Sequence, residues 1–360
     1  MRRRAAQAIP PRSKCWHPNR SRVLALRQVL IPVSLARAPA LADPGPCLTL
    51  DGQSMGTTWQ VQVYAPAGAA AKLRTVIEAT LAQVVRQMSH WEPDSELTRF
   101  NRAAAHTPVA LPDPLFELLQ HALGVAADSG GAYDPTLGAL IRRWGFGPER
   151  AHREPGFRLP ETSEIAALQA RCGWRQLQLV PSTRLARQPG GLDLDLSSIA
   201  KGFAVDLVSQ RLLRDGFAAH LVEIGGELRA AGLKPDAQPW WVGLESPASD
   251  ATLDEVRIAL CDRAIATSGD YRRWYAAGDR RIAHTLDPRT GRPVDNDLAA
   301  VTVLGNECWY ADAVSTALLV MGAAEGLAWA DARRIAARFV RRSETGLREC
   351  CSRTWSDMLL

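Results

Sequence analysis

The stretch Trp59-Gln60-Val61-Gln62-Val63-Tyr64 alternates apolar and polar residues with period two, and a helical stripe follows it directly. Alternation of this kind marks a strand with one buried face. The stripe consists of Leu73, Val76, Ile77, Thr80, Leu81, Val84, Val85 and Met88. Its three- and four-residue steps predict an amphipathic helix. Working outward, further helices are expected over residues 114–127, 162–171, 199–213 and 309–320. Strands are expected over 176–180, 192–196, 221–230, 240–245, 256–266, 281–286 and 299–304. Strands gathered beside segregated helices predict an α+β protein and not a doubly wound one.

A chain of 360 residues with 46% apolar content can bury a full core, as one large domain or two moderate parts. Its formal charge of +5 is concentrated at one end, because residues 1–42 hold nine Lys or Arg and no Asp or Glu. Of the 43 basic residues, 34 remain to face 38 acidic ones, so the body lacks the basic face that nucleic acid requires. Residues 1–47 read as a leader or disordered extension, with an Arg-rich start, an apolar stretch interrupted by Arg27, and Ala40-Leu41-Ala42 as a small-residue cleavage site. That pattern predicts export to the periplasm or cell envelope with cleavage after Ala42. A wrongly assigned start on a cytoplasmic protein is the alternative. No run approaches the roughly 20 apolar residues of a membrane span, so no transmembrane span is expected. The seven cysteines include no C-x-x-C pair, and scattered thiols are the default reading.

Six segments combine polar residues with strand or helix ends. Asp193 to Gly202 delivers Asp195, Ser197, Ser198 and Lys201 to a helix N-terminus, which suits phosphate, although an N-cap and a surface lysine would look the same. Gly225-Gly226, inside Glu223 to Glu227, implies a bulge or a close backbone approach within a strand. Thr267-Ser268-Gly269-Asp270 could offer hydroxyls to phosphate or form a capping turn. His284 to Gly291 is a strand running into a turn, with His284 and Asp287 as candidate bases or structural residues. Asp312 and Thr316, four apart on a helix, share one face and can turn two oxygens toward a hard cation such as Mg2+, or be an exposed acid beside a buried threonine. Met55-Gly56-Thr57 and Tyr133-Asp134-Pro135-Thr136, the latter with Trp144-Gly145-Phe146-Gly147 behind it, could wall a planar ring or pack a core.

Taken in order, and with Ser95 to Asn101 and Ala311 to Thr316 added, these segments resemble the FAD:protein FMN transferases of the ApbE type over residues 50–345. The resemblance implies a 48–345 transferase domain followed by a 346–360 tail, and a fold of two α+β parts, with mixed or antiparallel sheets, holding the flavin between them. It implies Mg2+-dependent transfer of the FMN half of FAD to a Thr or Ser of an acceptor flavoprotein of a redox system, with release of AMP. Ca2+ and Mn2+ are alternative ions. By the same resemblance, Met55, Trp91, Ala132, Tyr133, Asp134, Asp195, Lys201 and Leu286 line the FAD site, and Ser198, Asp312 and Thr316 hold the metal. His284 matches the proton-transfer position. Asp287 is the alternative base, and Lys201 offsets charge on the pyrophosphate or the leaving AMP.

Overall fold

The structure is a computed structural model and describes residues 28–32, 45–148, 151–247, 253 and 255–359. Strand β1, Cys47–Ser54, pairs antiparallel with the period-two stretch, which forms β2, Thr57–Tyr64. The sheet continues through β3 (His220–Ile224), β4 (Glu227–Ala231), β5 (Arg263–Gly269), β6 (Leu298–Gly305), β7 (Ala336–Ser343) and β8 (Gly346–Cys351). Its eight strands lie side by side in chain order, each antiparallel to the next.

Alternation sorts the side chains onto two faces, both of them buried. Val222, Ile224, Ala264, Ala266, Val301, Val303, Ala337 and Phe339 join the main core, which is closed by the helices α1 (Ala70–Met88), α2 (Asp113–Asp128), α3 (Ala200–Arg214) and α4 (Cys308–Ala332). Their neighbours Leu221, Ala230, Ile265, Leu304 and Ala336 point the other way, into a second core with Leu30, Trp240, Ile258, Trp355 and Met358. The smaller part, built largely from the long segment between β2 and β3 and the segment between β5 and β6, holds a three-stranded sheet and two hairpins. It has its own core of Leu137, Leu140, Trp144, Phe146, Ile165, Ile282 and Leu286. The α+β class and the antiparallel sheets agree with the sequence reading.

Several expected elements differ. Residues 221–230 form two strands, because Gly225 (φ +66°) and Gly226 (φ +106°) make a two-residue hairpin turn that requires positive φ at both positions. Residues 256–266 likewise divide, at Asp262 (φ +52°). Residues 192–196 alternate as a strand should, yet form a single bridge from Asp193 to Leu137. Their backbone is satisfied elsewhere: Leu194 N–H donates to Asn101 Oδ1 at 2.9 Å and Asp195 N–H to the Pro135 carbonyl at 2.9 Å. Helix α4 outruns its expected end at 320 because it breaks and resumes at Gly322 (φ +78°, ψ 173°). The carbonyls of Leu319 and Val320 at this break accept hydrogen bonds from Asn296 Nδ2 (2.9 Å) and Arg289 Nη2 (3.4 Å).

Described residues from both the expected leader and the expected tail enter the fold. Gln28–Leu30, within the expected leader, pairs parallel with Val256–Leu260, and residues 346–351, read as part of a tail, form edge strand β8. The Ala40-Leu41-Ala42 pattern lies outside the described residues. Among the described residues, α4 alone is long and apolar enough to cross a membrane, and 61% of its most apolar window is buried. No disulfide joins the six described cysteines.

Candidate active site

Helices α3 and α4 cross where no side chain fits, since a Cβ on Gly202 would run into the Cys308 carbonyl. The close crossing sets Lys201 of α3 against Asp312 of α4. Gly202 N–H donates to Asp312 Oδ2 at 3.0 Å, whereas Lys201 Nζ stands 3.9 Å from Asp312 Oδ1, beyond hydrogen-bond reach. Lys201 pairs instead with Glu227, the buried first residue of β4. Burial works against the Lys201 charge, but Asp312 and Glu227 outweigh it and hold the ammonium well above its usual range. Burial raises both carboxyls, with Lys201 opposing.

The start of α4 is fixed by a residue that sequence reasoning missed. The buried Asp206 of α3 accepts N–H bonds from Cys308 (3.0 Å) and Trp309 (2.9 Å), so it caps α4, and it pairs with Arg229 at 2.5 Å. Four of the first N–H groups of any helix lack internal partners, and a carboxylate there also favours the helix dipole. One turn past Asp312, the Thr316 hydroxyl lies 2.8 Å from Ser268 Oγ, which is itself 2.7 Å from Ser315 Oγ. The end of β5 is thereby locked to the helix.

Tyr133 gathers the other side. Its buried hydroxyl faces Ser198 and feels Asp312, Asp195 and Asp134, yet finds no partner in hydrogen-bond geometry among the described residues. Burial first, then these carboxylates, push the phenol well above its usual range. Asp195 accepts the Ser197 N–H at 2.8 Å and lies 3.7 Å from His90 Nε2. Burial would raise its carboxyl, but His90 and Ser197 together bring it below the ordinary value. Trp91, whose ring meets that of His90 at a tilt with 5.6 Å between centroids, is 41% exposed and presents an aromatic surface to solvent. Asp134 is spent on structure: it accepts Thr136 N–H (2.9 Å), Thr136 Oγ1–H (2.6 Å) and Trp174 N–H (3.0 Å). Next to it and buried Ala132 opens a cleft of about 330 Å³ lined by Gly131, Trp174, Arg175, Pro288 and Arg289. Met55 (φ +53°) sits in the β1–β2 turn. That turn neighbours the Gly225-Gly226 turn, because Trp59 pairs with Ile224 and a Cβ on Gly225 would come within 2.9 Å of Thr57.

His284 and Lys201 lie within each other's field. His284 Nδ1 is 3.1 Å from the Arg273 carbonyl, and an N–H donated there leaves the Nε2 lone pair as acceptor. Burial, followed by Arg273, lowers the imidazole to about 4, so it is neutral at neutral pH. Leu286 is buried in the core of the smaller part. The Asp287 carboxylate accepts Arg289 N–H at 2.9 Å and Nε–H at 3.0 Å, which engages it in closing its own turn.

The groups facing this crossing carry oxygen: the Asp312 carboxylate, whose Oδ1 has Lys201 no nearer than 3.9 Å, the Thr316 hydroxyl one turn on, and the Tyr133 hydroxyl, which feels Asp312 and faces Ser198. This set fits a hard dication such as Mg2+. Among the described residues, no group of three or more His, Cys, Asp or Glu is placed to bind a metal.

The sequence profile of the ApbE family matches residues 55–339. The chain belongs to the ApbE family. It is 37% identical over 332 residues to the FAD:protein FMN transferase of Vibrio cholerae, covering 91% of this chain and 98% of that one. Against the FAD:protein FMN transferase of Salmonella typhimurium the identity is 32% over 306 residues, covering 84% and 86%. The apo crystal structure of the Pseudomonas stutzeri flavinyl transferase ApbE superposes with a TM-score of 0.80 at 37% identity, over 87% of this chain and 96% of that one. The flavin transferase ApbE from Vibrio cholerae gives 0.78 at 36% identity, over 87% and 100%. The resemblance read from the ordered segments is therefore borne out. Within this ApbE-family chain, the residues invisible to sequence reasoning were Asp206, Glu227 and Asn101. Glu227 and Asn101 lay inside segments already singled out, but only their partners across the fold give them a role.

Proposed function

We propose that the chain is an FAD:protein FMN transferase that moves the FMN half of FAD onto a Thr or Ser hydroxyl of an acceptor flavoprotein and releases AMP. The observation that carries this reading is the α3–α4 crossing, which sets Asp312 Oδ1 3.9 Å from the Lys201 ammonium, whose charge Asp312 and Glu227 favour. A pyrophosphate is the substrate such a pair suits, because its negative oxygens need both a fixed cation and a metal anchor. Asp312, Thr316 and Ser198 would hold Mg2+, which when bound supplies Lewis-acid neutralisation of the pyrophosphate.

In the transfer, the acceptor hydroxyl oxygen bonds to the flavin-side phosphorus, the bond from that phosphorus to the bridging oxygen breaks, and AMP departs with the electron pair. His284 Nε2 takes the hydroxyl proton, a role open to it because Nδ1 is committed to Arg273. Lys201 steadies negative charge on the departing phosphate. Met55, Trp91, Ala132, Tyr133, Asp134, Asp195 and Leu286 shape the FAD site, with Trp91 supplying an exposed ring for stacking. The test is incubation with FAD, Mg2+ and candidate acceptor flavoproteins, followed by in-gel flavin fluorescence and AMP chromatography. Fluorescence on the acceptor with one AMP per bound flavin is expected. FMN and AMP released equally with or without acceptor would show a hydrolase instead.

A further inference from the structure

Lys201 has two anions within reach and leans on only one of them. Its ammonium is in contact with Glu227 Oε1 but 3.9 Å from Asp312 Oδ1. Glu227 is 3% exposed and directly follows the Gly225-Gly226 turn, paired with Ile224 across the hairpin, so its backbone has little freedom to follow a moving partner. Its second oxygen, Oε2, is buried with no hydrogen bond among the described residues. A buried carboxylate is costly unless something charged compensates it, and here Lys201 is that compensation. Lysine is a compact charge on a four-carbon stem, free to swing toward the nearest anion. Without Glu227, that anion is Asp312.

We propose that Glu227 is a positioning residue that holds the Lys201 ammonium off Asp312, keeping the Asp312 carboxylate available to the divalent cation. The proposal rests on the assignment of Asp312 as a metal ligand. A lysine in contact with that carboxylate would offset its charge and repel a dication bound there, so the two cations compete unless one is tethered elsewhere. Glu227 is the tether.

The test uses the full chain without FAD and Mn2+ alone as probe, titrated by electron paramagnetic resonance. Glu227→Gln is expected to lower Mn2+ affinity about tenfold, the scale of one charge-assisted contact. Adding Lys201→Met to it should return the affinity to within about threefold of wild type, because the competitor is gone. Glu223→Gln is the control for field alone. Glu223 also feels Lys201, and its Oε1 accepts the Gly226 N–H at 2.7 Å, a bond the amide oxygen of Gln can keep. Its effect should stay below about threefold. Unchanged affinity in Glu227→Gln overturns the proposal. So does an equal loss in Glu223→Gln, which would make the effect one of net charge, and so does a loss that persists in the double variant, which would make Glu227 itself a ligand. Should Glu227→Gln fail to fold, Lys201→Met alone decides: binding at least as tight as wild type supports the tether, and weaker binding overturns it. A metal-free crystal structure of Glu227→Gln with Lys201 closed onto Asp312 to about 3 Å is the direct readout, and an unchanged separation counts against the idea. Asp312→Ala with wild-type Mn2+ affinity would sink the metal assignment itself, so that failure is told apart from failure of the tether.

Discussion

The two ends of the candidate site are built by different means. Around Lys201 and Asp312, two long helices touch backbone to backbone, Asp206 caps one of them, and the carboxylates of Asp206, Glu227 and Asp312 are buried with Lys201 half-buried beside them. Around His284, the backbone belongs to two-residue and four-residue strands and a turn closed by Asp287 and Arg289. The first arrangement fixes charges and resists adjustment. The second leaves the His284 Nε2 as an acceptor in a half-buried position, where the proposed transfer would bring the acceptor hydroxyl. On the proposed function, charge stabilisation would be lodged where the fold is most over-determined, and proton transfer where a partner would be admitted.

The sharpest way to break this contrast is Asp312→Ala. On the proposed metal assignment, losing this carboxylate should cut single-turnover FMN transfer at least about 10³-fold, equivalent to several kcal/mol of transition-state stabilisation, and abolish the metal dependence of whatever activity is left. Full activity after chelator treatment would remove the metal from the reaction. At the other end, His284→Ala should slow transfer by roughly 10²- to 10⁴-fold while FAD and Mn2+ binding, measured separately, stay intact. Because burial lowers His284 to about 4, it remains a neutral base down to mildly acid pH. The wild-type kcat/KM should therefore stay level from about pH 8 to about pH 5 and fall only as the imidazole gains its proton. An acid limb near the ordinary histidine value would show that the base is elsewhere.

Smaller effects sharpen the comparison. Gly202→Ala drives a methyl group into the Cys308 carbonyl and should destabilise the fold by about 1–3 kcal/mol, read as a lowered midpoint in urea. The same variant should weaken Mn2+ binding, since it parts the helices that face Lys201 and Asp312. A variant as stable as wild type would mean the crossing has slack. Trp91→Ala, at the exposed side, should weaken FAD binding by only about threefold to tenfold, the range of one aromatic stacking contact, with no change in unfolding midpoint. A larger loss, or a lowered midpoint, would assign the ring to packing.

Local patterns carried much of this into the sequence. The period of 59–64 and the stripe of α1 survive intact, because each reports which face of one element is buried. The four-residue spacing of Asp312 and Thr316 was also legible, since a helix alone puts them on one face. The alternation of 192–196 misled because both of its faces are buried and Asn101, about 90 residues away, supplies what a neighbouring strand would have supplied. Asp206 and Glu227 were illegible for the same reason. Their meaning lies in Cys308, Trp309 and Lys201, which only the folded chain brings near.

The break at Gly322 has a further consequence. The carbonyls it frees are the ones that hold Arg289 and Asn296, so the loop bearing His284 hangs from the same helix that carries Asp312. Ten residues separate Asp312 from Gly322, a run of about 15 Å at helical rise. That run sets the distance from Asp312 to the break that holds the His284-bearing segment, and so between the two ends of the proposed site. One residue inserted between Thr316 and Gly322 would lengthen it by about 1.5 Å and turn its far end by about 100°, leaving each half of the site intact but out of phase with the other.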